Sequence, residues 1–250
     1  MRSLLVGLAF VVCLAPPASA TGPVLPLPAE DAQEIASLLG QGVVGRALPS
    51  EPIDASVYFP LVERSSAYQV TGGKNAGKTQ TLRTMRGQRP GGNEAWRFEL
   101  SPSLAAFINQ AGADLTMPAV SDSGEGVIVV TTPANPFLVD GMKPGETRQF
   151  SQQVSVNYLD DPSDQRYAGH LAGTYTYVGT YEVNVPAGTF PAALLRLKYT
   201  GKVGPADTQD TAYYFFAPKV GVVAMISQED VEAFWIIHID TSSGKVLATP

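Results

Sequence analysis

Short runs in which apolar and polar residues alternate, each closed by glycine or proline, fill most of this chain. Successive strand residues project to opposite faces, so a period of two marks a half-buried strand. Apolar positions three and four apart mark a helix. By that rule strands are expected at 57–59, 65–71, 79–86, 94–100, 126–132, 147–158, 173–185, 193–203, 211–217, 221–227, 233–240 and 245–248. Residues 29–39 read as a helix. They set Ile35, Leu38 and Leu39 on one face, carry Glu30 and Asp31 in the first turn where the helix dipole favours acids, and stop at Gly40. A second helix is expected over 103–110, where Leu104, Phe107 and Ile108 fall on one side after Pro102.

The expected strand 173–185 says most about geometry. Tyr175, Tyr177, Tyr181, Val183 and Val185 alternate with Thr174, Thr176, Thr180, Glu182 and Asn184, so one face is packed and the other wet, as in an antiparallel sheet. Gly179 interrupts the alternation where a bulge or bend is expected. Tyr213 to Phe216 and Phe234 to Ile237 are apolar on both faces, as central covered strands are. The fold class that follows is mainly β: a strongly curved antiparallel sheet, a half-barrel or barrel, with one or two short helices. If its concave side is hollow, Tyr175, Tyr177, Tyr213 and Phe215 are expected to border an apolar cavity.

Three segments divide the chain. Residues 1–20 read as a signal peptide, with Arg2 before an apolar run from Leu4 to Ala15 and a cleavage site after Ala18-Ser19-Ala20. A Pro/Gly-rich lead with a short helix covers 21–55, and a single antiparallel β domain covers 56–250. No later run approaches the roughly 18 apolar residues of a membrane helix, so no transmembrane segment is expected and the protein is placed in the periplasm or outside the cell. Cleavage removes Cys13, the single cysteine, and with it disulfides, thiolate catalysis and cysteine-bound metals. It also removes Arg2, leaving 16 basic against 23 acidic residues, a net charge of −7 without a basic cluster. Nucleic acid is therefore a poor partner.

Two segments carry turn chemistry. In Val185-Pro186-Ala187-Gly188-Thr189-Phe190 a fixed proline φ, a permissive glycine and an aromatic returning to the core make a reversal between strands. Ala217-Pro218-Lys219-Val220-Gly221 does the same for the next pair. These residues, with Tyr213 to Phe216 and Val223, resemble the paired signature of the exported bacterial proteins grouped as domain of unknown function 3108 and its TapB-like relatives. Tyr58-Phe59-Pro60-Leu61 and Pro144-Gly145-Glu146-Thr147 resemble that domain's opening and mid-chain turn, so the resemblance touches about residues 57–227. Arg64-Ser65-Ser66-Ala67 replaces an expected aromatic, and Lys219 stands where the family often has glycine. The resemblance implies an envelope-associated β-fold without established activity, and carries over no catalytic residue.

The other motifs point away from catalysis. Gly72 to Thr79 satisfies the phosphate-loop pattern, but its flanks are polar alternating and threonine-rich, not a buried strand followed by a helix. It reads as a hairpin loop. His170 and His238 are the two histidines, too few for a three-histidine zinc site, and no serine nucleophile elbow occurs. Asp160, Asp161 and Asp164 form an acidic loop without EF-hand spacing. No cofactor or metal is assigned. Three function classes follow: an envelope protein holding an apolar small molecule or lipid in a curved sheet, a partner-binding or assembly protein of the envelope, and a hydrolase built on His170 or His238. The non-catalytic pair is favoured.

Overall fold

The computed structural model describes residues 21–233 and 237–250, and between 228 and 242 its description does not extend to side chains. The expected signal peptide and the His238 side chain lie outside the described residues. In chain order the elements are α1 (Ala29–Leu39), β1 (Val44–Leu48), α2 (Ala55–Tyr58), β2 (Arg64–Gly72), β3 (Thr79–Gln88), β4 (Glu94–Glu99), β5 (Leu104–Ala111), β6 (Asp114–Asp122), β7 (Val127–Leu138), β8 (Thr147–Tyr158), β9 (Gln165–Val185), β10 (Gly188–Val203), β11 (Ala206–Ala217), β12 (Gly221–Ala233) and β13 (Ile237–Thr249). From β2 to β13 each strand pairs antiparallel with the next in sequence, and β13 pairs with β2. The sheet thus closes into a twelve-stranded barrel, with β1 added beside the upper part of β9.

Four expectations are corrected. Residues 103–110 form β5, not a helix: Ala105, Ala106, Phe107 and Ile108 are all buried, so both faces are covered and a short apolar run fits either period. Residues 57–59 do not form a strand, because the Asp54 carboxylate accepts the Val57 N–H and caps α2. The last two expected strands are one, β13. β1 and β6 were not expected; Pro118 in mid-strand hides β6, and the register shifts there.

Cα partners on neighbouring strands share a face, so the register assigns sides around the whole ring. The ring of Phe59, just past α2, meets Phe98 of β4, Phe137 of β7 and Phe216 of β11 edge-on, with centroids 5.4, 4.9 and 6.1 Å away. Strands so far apart in the ring meet across its interior, which makes this the inner face. The bulge expected at Gly179 is present: Leu194 faces Gly179 but Leu195 faces Tyr177. The extra residue turns Tyr181 and Val183 to the outer face while Tyr175 and Tyr177 stay inside, which corrects the single packed face inferred from alternation.

The outer face is covered by the lead. A Cβ on Gly244 would lie 2.4 Å from the Leu38 carbonyl oxygen, and one on Gly72 would lie 2.9 Å from the Leu38 side chain, so glycine lets the α1 backbone rest directly on β2 and β13. Asp31, fully buried in the first turn of α1, accepts hydrogen bonds from Arg196 and from the Tyr213 hydroxyl. Tyr213 also donates to Glu34. Burial beside these two carboxylates holds the Tyr213 phenol far above its ordinary range.

Candidate functional site

One end of the barrel interior is sealed. Phe59, Tyr177 and Phe216 have no exposed surface, and Phe98, Phe137 and Tyr175 are buried with them. The Tyr175 hydroxyl donates to the Phe137 carbonyl, and the Tyr177 hydroxyl reaches the Glu51 carbonyl and the Thr180 hydroxyl. Arg64 lies over the Phe59 ring, 4.7 Å from its centroid, and donates to the Val220 carbonyl. Aromatic side chains donating to backbone carbonyls leave no unmet donor in this plug.

Toward the turns that join β8 to β9 and β10 to β11 the inner face changes. Tyr199, Thr208, Tyr214, Ser227, Ser243 and Gln80 all point inward by register, yet each is half-buried, so accessible surface remains inside the barrel below the plug. Three inward positions of β9 and β10 carry no side chain: Gly173 faces Tyr199, Gly201 faces Leu171 and Gly169 faces Val203. A Cβ at Gly201 would sit 2.0 Å from the His170 carbonyl oxygen, so this tight coil of the two strands requires glycine. On the wall from β7 to β10 the apolar Val154, Leu171 and Leu197 are buried beside the polar Thr131 and Gln152.

Lys245 lies on the opposite wall. It shares a row with Tyr177, Leu195, Tyr214, Met225 and Val70, all inward, and only 8% of its surface is exposed. Its amine donates to the Ser243 hydroxyl at 3.1 Å and forms no ion pair among the described residues. Burial alone lowers the amine to about 8. Among the described residues, the inward atoms Gln80 Oε1, Thr131 Oγ1 and Gln152 Oε1 are buried without a hydrogen-bond partner.

The four residues expected to border a cavity do not share a surface. Tyr175 and Tyr177 face inward within the plug, whereas Tyr213 and Phe215 face outward on the side covered by α1. Tyr214, the residue between them, takes the inward place. A lysine in mid-strand was the available signal for Lys245, but which wall it joins depends on the β13 to β2 pairing, invisible to local pattern.

Pro186 and Ala187 make the reversal, Gly188 follows at φ 134° and Phe190 is half-buried at the core's edge. Pro218 opens the next turn, in which Lys219 and Gly221 take φ 65° and 93°. Gly72 to Thr79 joins two antiparallel strands with no helix after it, and Lys78 donates to Asn75. His170 is exposed on the outer face, 3.3 Å from the Ser151 hydroxyl and paired with no carboxylate among the described residues. In the acidic loop Asp161 accepts from the hydroxyl and N–H of Ser163, which hold its carboxyl below the usual range. Among the described residues no three histidine, aspartate or glutamate side chains gather as a metal set.

The chain matches no family model and no curated protein. Two solved structures are similar. One, described as a lipoprotein of Parabacteroides distasonis, is 14% identical with a TM-score of 0.38, over 77% of this chain and 97% of that one. The other, described as an exported protein with a YmcC-like fold from Bacteroides fragilis, is 14% identical with a TM-score of 0.41, over 77% and 98%.

Proposed function

We propose that this is a non-catalytic exported protein of the cell envelope that holds a small molecule with an apolar body inside its barrel. One observation carries the reading: the inner face is sealed by aromatics at one end, and at the other it keeps half-accessible positions, Tyr199 and Tyr214 among them, beside the buried apolar residues Val154, Leu171 and Leu197. Export rests on the leader pattern of residues 1–20 and on the resemblance to the exported family with its unknown function. The outward residues of β8 and β9, Ser151, Gln153, His170 and Arg166, are polar and exposed, the reverse of a lipid-facing barrel wall. Among the described residues no helix is long and apolar enough to cross a membrane.

A neutral fluorescent probe tests this directly. The processed protein should bind 1-N-phenylnaphthylamine at one site, and Ser227→Phe, which puts a ring into the half-accessible interior, should abolish binding while the protein stays folded by circular dichroism. Binding that survives Ser227→Phe, or no binding by the unaltered protein, would refute the reading. The assembly alternative is favoured by the exposed pair Tyr158 and Tyr167, at 40% and 38%, on the rim of the same opening. It expects capture of a partner that Tyr167→Ser abolishes, with no binding of the probe.

A further inference from the structure

We infer that Lys245 is the head-group site of the chamber, and that the ligand is a single-chain amphiphile with an anionic carboxylate or phosphate end. The inference rests on the reading of the chamber as a binding site and adds the ligand's chemistry to it. Below the plug, Lys245 is the cation that the described residues place on the inner face. Arg64 is held within the plug by Phe59 and the Val220 carbonyl, and Lys198 and Lys202 point outward in the row pattern of Arg196.

The surroundings of Lys245 leave its charge unanswered. Its partners across the strands, Met225 and Val70, are apolar, and among the described residues its hydrogen bond goes to a neutral hydroxyl. A buried ammonium without a counter-ion is unfavourable unless something supplies one. Asp210 is an inward acid four residues along β11 from Tyr214 toward the opening. An anion is attracted at the depth of Lys245. The facing wall carries Val154, Leu171 and Leu197, whose apolar side chains suit a hydrocarbon chain. A cation deep on one wall and an apolar surface on the other match a molecule with one charged end and one long apolar body.

Three probes with the same chain separate the terms: dodecanoate, dodecyl phosphate and dodecan-1-ol, titrated calorimetrically into the processed protein. At least one of the two anions should bind about tenfold or more tightly than the alcohol, and the stronger anion names the head group. Lys245→Met should remove that preference and leave the alcohol's affinity unchanged, whereas Lys245→Arg should keep the preference. Equal affinity for all three probes would overturn this inference and leave the chamber standing. No binding of any probe would overturn both. Loss of the alcohol as well in a folded Lys245→Met would show the lysine to be part of the wall and refute the head-group role.

Discussion

Arg196 Nη1 lies 2.7 and 2.6 Å from the two carboxylate oxygens of Asp31, a side chain with no exposed surface. This pair fastens α1 to the outer wall of the barrel, and the Tyr213 hydroxyl completes it. Asp31→Asn should destabilise the protein by about 3 kcal/mol, because the arginine loses its buried counter-ion and keeps Glu30, largely exposed at 3.6 Å, as a weak substitute. Tyr213→Phe removes one hydrogen bond and should cost about 1 kcal/mol. Urea unfolding of the two variants checks the order; equal losses would count against the pair as the principal fastening.

Lys245 gives the protein a pH dependence of unusual sign. Its amine titrates near 8 in the folded chain and at 10.5 when unfolded, so between those values the unfolded state binds more protons and stability from this group rises with pH. The penalty is fully present below pH 8 and gone above 10.5, on the order of 3 kcal/mol. Lys245→Met should therefore be more stable than the parent at pH 7, and the gap should close as pH approaches 10.5. A gap of constant size would mean that the amine titrates normally.

Among the described residues, Lys219 is the non-glycine residue at positive φ, 65°, with its N–H donating to the Val57 carbonyl. A side chain in this conformation carries a strain of roughly 1–2 kcal/mol, partly offset by the extra freedom that glycine has when unfolded. Lys219→Gly should raise stability by up to about 1 kcal/mol in thermal melts, and Lys219→Val should lower it.

Phe59 and Phe190 are both aromatic and both follow a proposed family motif, but their burial separates them. Phe59→Ala empties the meeting point of four rings and should cost about 3 to 5 kcal/mol. Phe190→Ala, from a half-buried site, should cost no more than about 2 kcal/mol. Chemical denaturation of both variants decides it, and a larger loss at Phe190 would place the core elsewhere.

Where a segment's environment is one-sided, its residues announced it. The helix 29–39 and the strand 147–158 are found within their expected bounds, because each has one apolar stripe and clear stops. Ser103 to Gln110 misled for the opposite reason: covered on both faces, it keeps no period. The site was less legible than the fold. Tyr175 and Tyr177 face inward within the plug, whereas Tyr213 and Phe215 belong to a strand buried on both sides, where composition does not say which side is inside. Lys245 was seen as strand and no more, since its wall is set by pairing with Val70, far away in the chain.

That last pairing has a kinetic consequence. Leu247 lies opposite Tyr68, so the ring has no seam partner for β2 until β13 is in place. The other barrel pairs join strands adjacent in sequence and form over short loops. Closure instead brings together segments at opposite ends of the β domain and must wait for everything between them. A chain folding from its N-terminus would thus form an open, twisted ribbon first, and would acquire an inside only when the final hairpin arrives.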